Sequence, residues 1–99
     1  MNANNPARSD LAALVNVEHS AWLAVDVSHC ALAEAKRVYE AASVEERRAC
    51  DASRRLKAGA CYGAYMDVVC ARNAHTAAVN AYYAARAARA AMESALSTH

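Results

Sequence analysis

The sequence predicts an all-α protein, a compact antiparallel bundle of three main helices, or of four if the chain breaks at Gly59. Alanine, the strongest helix former, accounts for 28 of the 99 residues. Proline occurs once, at Pro6, and glycine occurs only at Gly59 and Gly63, so few positions interrupt a helix. Apolar side chains also recur at helical spacing along most of the chain. Strands are therefore not expected.

The length predicts one domain covering residues 1–99, with residues 1–8 as a short polar segment ahead of the first helix. A chain of 99 residues rarely builds two hydrophobic cores. Because most of its apolar residues are alanines, we expect a thin core and closely spaced helices.

The first predicted helix covers residues 10–42, and Ser9 or Asp10 is suited to cap it. One apolar stripe follows helical spacing and predicts the core side: Leu11, Leu14, Trp22, Val25, Leu32 and Tyr39. A second apolar line lies roughly opposite: Leu23, Val27, Cys30 and Val38. A helix that is apolar on two sides is either central in its own bundle or covered by another chain, and both alternatives stay open.

The second predicted helix covers residues 44–72. Ser43 and Glu46 form the S-x-x-E pattern in which two side chains satisfy free backbone N–H groups at a helix start. Gly59 allows two interpretations: it ends this helix as a left-handed cap, or it forms with Gly63 a notch for close helix crossing. The four-residue spacing among alanines favours the notch.

The third predicted helix covers residues 76–97. Asn73 and Thr76 are suited to end one helix and cap the next. The spacing offers one buried side on this helix: Val79, Tyr83, Ala87 and Ala90.

No motif in the sequence indicates catalysis, a cofactor or a metal site. Zinc sites need closely spaced cysteine and histidine pairs, and none occurs. Phosphate-binding loops need a strand and a glycine-rich turn, which this chain lacks. We therefore expect a protein that is not an enzyme, with four reduced cysteines that act as small apolar side chains: Cys30, Cys50, Cys61 and Cys70. Disulfides would require an exported protein.

The hydropathy pattern predicts a cytoplasmic protein without a membrane partner. The longest uncharged stretch, residues 73–85, is well short of the roughly 20 apolar residues that span a bilayer. Residues 1–10 lack the basic start and apolar run of a secretory signal.

Charge is distributed unevenly although the net charge is only +1. Residues 1–46 carry three basic and seven acidic side chains, whereas residues 47–99 carry eight basic and three acidic ones. The two halves either pair with each other or leave a basic surface for nucleic acid or an acidic protein. The isoelectric point of 7.7 is low for a dedicated nucleic-acid binder. The candidate basic surface consists of Arg47, Arg48, Arg54, Arg55 and Lys57.

A second candidate surface lies on the last helix, at steps of three and four residues: His75, Val79, Tyr82, Arg86, Arg89 and Glu93. Tyrosine and arginine are the residues that most often anchor protein interfaces. Alternatively, Tyr82 packs on a neighbouring helix while the two arginines are only solvated.

These patterns predict a non-catalytic module that acts by occupancy on a larger protein or nucleoprotein. Small regulators and inhibitors encoded by phages or plasmids often have this profile of one short helical domain. One alternative is a helical nucleic-acid-binding protein that uses the Arg47–Lys57 basic surface. Another is a homo-oligomeric structural or assembly protein that pairs through Leu23, Val27, Cys30 and Val38.

Overall fold

The computed structural model describes residues 6–97, which form two long helices. Helix α1 is Pro6–Arg48, with 43 residues, and α2 is Asp51–Ser97, with 47 residues. The predicted helical class is confirmed. The predicted compact bundle of three or four helices is wrong, since two helices account for all described residues except Ala49 and Cys50. Neither helix has the length and apolar character needed to cross a membrane.

Helix α1 begins earlier than the sequence predicts. Of the polar segment predicted at residues 1–8, residues 1–5 lie outside the described part, and Pro6 is already helical. Proline suits the first turn because its missing N–H has no intrahelical partner there and its φ is already helical. Ser9 and Asp10 are therefore inside α1, not at its cap.

The predicted helix start at Ser43 is absent, because α1 continues to Arg48. The Ser43 hydroxyl does not cap a helix but lies 3.4 Å from the sulfur of Cys61 on α2. The break falls later, where the Ala49 N–H donates to the Glu46 carbonyl at 3.2 Å and tightens the last turn. Nη2 of Arg54 donates to the Ala49 carbonyl at 3.3 Å.

Helix α2 starts after Cys50, the second residue of the connection. The Ser53 N–H donates to the Cys50 carbonyl at 3.1 Å, and the Ser53 hydroxyl donates to the same carbonyl at 3.4 Å. Asp51 lies in the first turn of α2, and Arg47 and Arg48 lie in the last turn of α1. An acidic residue at a helix start and basic residues at a helix end both interact favourably with the helix dipole, so these placements stabilise α1 and α2.

Neither glycine interrupts α2. Gly59 and Gly63 are helical without positive φ, so Gly59 is not a left-handed cap. A Cβ added at either position would meet no atom within 4 Å, so the predicted notch is wrong too. The predicted break near Asn73 and Thr76 is also absent. Their weak helix preference is outweighed by the surrounding alanines and by packing against α1.

The chain divides into two compact units, each built from parts of both helices. The terminal unit contains residues 6–26 and 77–97 of the described chain, and the turn unit is Val27–Thr76. Helix α1 is nearly as long as α2 and packs against it within each unit.

In the terminal unit, α1 and α2 pack antiparallel along one seam. The least exposed positions recur at alternating steps of three and four residues, the 3.5-residue period of a coiled coil. The seam positions of α1 are Leu11, Leu14, Glu18, Ala21 and Val25, and those of α2 are Ala78, Tyr82, Ala85, Arg89, Met92 and Leu96. Among these side chains only Ala85 is buried.

The turn unit has a seam of the same period and most of the buried side chains. Its α1 positions are Ser28, Leu32, Ala35, Tyr39, Ala42 and Glu46, and its α2 positions are Lys57, Cys61, Ala64, Val68, Ala71 and His75. Four of these are buried: Leu32, Cys61, Ala64 and Val68. Two of the α2 seam positions in this unit, seven residues apart, are the alanines Ala64 and Ala71, which let the two backbones approach closely.

The predicted core stripe of α1 is largely on the seam, with one exception. Trp22 is 52 % exposed instead of buried. On α2 the predicted buried side is wrong, since Tyr83 is 59 % exposed and Ala87 and Ala90 are exposed as well. Three members of the predicted line stand one position after the seam residues Ala78, Tyr82 and Arg89, and only the first, Val79, is half-buried.

Candidate interaction surfaces

Three aromatic rings form a surface cluster in the terminal unit. The ring of Tyr82 lies between those of Trp22 and Tyr83, with centroids 5.4 Å and 5.6 Å away and tilted orientations. Tyr82 is half-buried in the seam, whereas Trp22 and Tyr83 are more than half exposed. Tilted rings at these separations attract each other, so the contacts hold the exposed rings in place.

An ion-pair network lies beside this cluster. Arg89 on α2 donates from Nε to Glu18 on α1 and from Nη1 to Glu93 at 2.5 Å. The side chains of Arg89 and Glu18 are 25 % and 18 % exposed. The hydrogen bond to Glu18, followed by the charges of both carboxylates, raises the pKa of Arg89 despite some desolvation. The predicted surface residue Arg89 is thus mainly a link between the helices.

A shallow depression of about 360 Å³ connects these two features. It is lined by Val15, Glu18, His19, Trp22, Tyr82 and Arg89. Arg86 is exposed one turn before Arg89, and no side-chain ion pair within residues 6–97 involves it. We name the exposed set on this side the aromatic flank: Trp22, Tyr83 and Arg86 with the depression beside them.

The turn unit also carries aromatic side chains on one side of its seam. Tyr39 and Tyr65 contact each other with ring centroids 5.7 Å apart, and Tyr62 is exposed nearby on α2. His75, which the sequence predicts in a surface set, lies in the seam and bonds through Nδ1 to the Ser28 hydroxyl at 2.9 Å. Its ring also contacts that of His29.

The predicted basic surface lies around the connection between the helices. Lys57 pairs with Glu45 at 3.2 Å. Nη1 of Arg54 lies 3.8 Å from the Asp51 carboxylate, and its Nη2 donates to the Ala49 carbonyl. These two cations therefore help to hold the turn. No ion pair or side-chain hydrogen bond among residues 6–97 involves the remaining three, Arg47, Arg48 and Arg55.

All four cysteines are free thiols. Cys61 is buried in the seam, and the other three are exposed. The Cys50 sulfur lies 3.5 Å from the Ser53 hydroxyl, and this hydrogen bond lowers the pKa of the thiol, helped by the backbone N–H groups at the start of α2. Within the described residues, no three His, Cys, Asp or Glu side chains are grouped so that they could hold a metal ion.

The opposite side of the terminal unit carries mostly small side chains, with the exposed Asp10, which precedes the seam position Leu11, near the start of α1. The residues immediately before four seam positions lie on this side: those before Glu18, Val25, Tyr82 and Arg89. The residues one helical turn before or after them lie on the same side. We name this exposed set the small-residue flank: Ala13, Val17, Ser20 and Ala24 on α1, and Ala77, Ala81, Ala84, Ala88 and Ala91 on α2.

The second apolar line that the sequence indicates on α1 is exposed along its length. Leu23 is 50 % exposed and Val27 is 70 % exposed, and Cys30 and Val38 are also exposed. Leu23 belongs to the terminal unit, beside Ala24, and the other three belong to the turn unit. No second layer of helices covers them within residues 6–97.

Comparison with known proteins identifies no relative. No family model matches the chain, and no curated protein or solved structure is significantly similar to it.

Two features of the candidate surfaces are not apparent from the sequence. Trp22 was assigned to the core, although it is half-exposed beside Tyr82. The pairing of Glu18 with Arg89 joins residues 71 positions apart and has no local signature. Alanine at every seventh position, Ala64 to Ala85, was the available signal for the true seam.

Proposed function

We propose that this protein is a non-catalytic helical binding module that acts by occupying the surface of a larger protein. The aromatic flank of the terminal unit would be its contact surface. The observation that supports this proposal is the Trp22–Tyr82–Tyr83 cluster, with two large rings left more than half exposed.

The cluster suits recognition because its rings are already ordered. An aromatic side chain has two rotatable bonds, and contact with Tyr82 restricts both Trp22 and Tyr83 before any partner binds. Binding then costs less conformational entropy than it would with free side chains. Each exposed ring also has a polar group, the Trp22 indole N–H or the Tyr83 hydroxyl, which can hydrogen-bond at an interface.

Arg86 adds charge to the same flank. It is exposed and without an internal carboxylate partner in the described chain, so its planar guanidinium remains available for a carboxylate of the partner. The fitting partner is a protein surface with a recess for an aromatic ring and an acidic side chain at its rim.

The test compares variants in partner capture. The tagged chain would be purified from its native host, and its partner identified by mass spectrometry and then prepared pure. We expect Tyr83→Ala and Arg86→Glu each to weaken the dissociation constant for that partner at least tenfold. Arg55→Glu, at another exposed arginine, in the turn unit, is the matched control and should bind as the wild type does. Full binding by both flank variants, with helical content unchanged, would refute the proposal.

A second candidate function is nucleic-acid binding through the turn unit. Its support is that Arg47, Arg48 and Arg55 have no internal ion-pair partner in the described chain. Binding of this kind weakens steeply as salt rises, because each phosphate contact releases counterions. Arg48→Glu with Arg55→Glu should abolish it, while Arg86→Glu should not. Absence of a mobility shift with duplex or single-stranded probes at low salt would eliminate this candidate.

The proposal includes a cellular setting. A motif-free helical module of this kind would act in the cytoplasm as a regulator or inhibitor, of the type that phages and plasmids encode. Imaging of the tagged chain in its host tests the compartment, and a signal confined to the cell envelope would contradict it.

A further inference from the structure

Two tyrosines of the turn unit leave large ring surfaces uncovered on one side of the seam. Tyr62 is 65 % exposed and Tyr65 is 44 % exposed. The Tyr65 ring contacts the ring of the half-buried Tyr39 on α1, with centroids 5.7 Å apart. All three tyrosines line one depression of about 340 Å³. They therefore offer flat apolar surfaces on which a planar group can stack.

Basic side chains lie on the same side of this seam. In an antiparallel pair, the residues that immediately follow seam positions share one side, and Tyr62 and Tyr65 are two of them. Four exposed cations belong to this side: Lys36, Arg47, Arg55 and Arg72. No ion pair or side-chain hydrogen bond among residues 6–97 involves any of the four. Their charges are therefore available to an anionic partner.

The tyrosines and the cations meet at a second depression near the connection between the helices. It has a volume of about 490 Å³, and Tyr39, Arg47 and Arg54 contribute to its lining. Tyr39 is thus a wall of both depressions. Glu46 also lines both, and Glu40 is exposed beside Tyr39. The four unpaired cations outnumber these two carboxylates, so this side attracts anions.

We propose that this side of the turn unit binds single-stranded nucleic acid, with bases stacked on Tyr62 and Tyr65 and phosphates bound by the four cations. Aromatic side chains beside a basic surface hold unpaired bases with little regard to base identity. A duplex hides the faces of its bases, so it offers the cations only its phosphates. Along α2, Arg55 and Arg72 are about 26 Å apart at 1.5 Å per residue, and both tyrosines lie between them. The proposed site rests on the second candidate function, nucleic-acid binding by the turn unit, and excludes the aromatic flank.

The experiment measures the anisotropy of labelled oligonucleotides of about 16 nucleotides mixed with the full chain at low salt. The probes are a homothymidine strand, a homouridine strand and a DNA duplex of the same length. At least one of the two single strands should bind at least tenfold more tightly than the duplex. The homothymidine and homouridine strands distinguish DNA from RNA as the source of the same chemistry.

Variants test the stacking and the charge separately. Tyr62→Ala should weaken the dissociation constant for the single strand about fivefold or more, because one base loses its stacking surface. Tyr62→Phe keeps the ring and should bind as the wild type does. Tyr83→Ala removes an exposed tyrosine of the terminal unit and is the matched control, without effect on this binding. Arg72→Gln should weaken binding and lower the slope of log affinity against log salt by about 0.7.

The possible failures are distinguishable. A duplex bound as tightly as the single strands overturns the proposed site but leaves nucleic-acid binding by the turn unit standing. Absence of binding to every probe at low salt removes both. A Tyr62→Ala protein that binds as the wild type does, with unchanged helical content, also overturns the site. So does polyglutamate that displaces the single strand at an equal concentration of charge, since the cations would then suit an acidic protein.

Discussion

Arg89 and Glu18 join the two helices of the terminal unit although they are 71 positions apart in the chain. Nη2 of Arg89 lies 3.5 Å from Oε2 of Glu18, in addition to the shorter contact through Nε. In a seam where only Ala85 is buried, this two-point contact sets which residues of α1 and α2 lie opposite each other.

The first prediction concerns this ion pair. Glu18→Ala should lower the Tm more than Glu93→Ala does, because Glu18 reaches Arg89 from the other helix and is less exposed. Thermal melts followed by circular dichroism at fixed protein concentration provide the measurement. In a double-mutant cycle with Arg89→Ala, the combined loss should be smaller than the sum of the single losses. Equal Tm values for the two glutamate variants would contradict a structural role of the pair.

The second prediction concerns the glycines of α2. Gly59→Ala and Gly63→Ala should each raise the free energy of unfolding by about 0.5–1 kcal/mol, since a glycine inside a helix costs that much relative to alanine. Nothing within 4 Å opposes the added methyl group at either position. Urea denaturation measures the change, and Ala60→Gly, on the same helix, should show a comparable loss. A destabilised Gly59→Ala protein would mean that a break or close crossing exists there.

The third prediction concerns the reactivity of Cys50. Because its pKa is lowered, mainly by the Ser53 hydroxyl, a larger fraction of Cys50 is thiolate at neutral pH than for an ordinary thiol. Ser53→Ala should raise that pKa, move the pH profile of alkylation toward higher pH and slow the reaction near pH 7. Peptide mass spectrometry resolves the sites, with the exposed thiols of Cys30 and Cys70 as internal references. An identical Cys50 profile in both proteins would show that Ser53 has no influence.

The residues of the aromatic flank can be predicted from the sequence only in part. Tyr82, Arg86 and Arg89 stand out as interface residue types, and two of the three prove to be half-buried in the seam. Their exposed companions, Trp22 and Tyr83, appear in the sequence as core residues. The reason is that each stands one position after a seam residue, Ala21 or Tyr82, and apolar spacing alone does not say which of two adjacent positions faces the other helix.

The sequence by itself determined that this protein is helical. Alanine content and the scarcity of proline and glycine act locally, residue by residue, and need no partner. Tertiary structure decided the number of helices and the face that each one buries. Ser43, Gly59 and Asn73 are all residues that can end or begin a helix. Nevertheless α1 continues through Ser43, and α2 continues through Gly59 and Asn73. A potential helix end is used only where capping outweighs the packing that continuation allows, and that packing depends on residues far away in the chain.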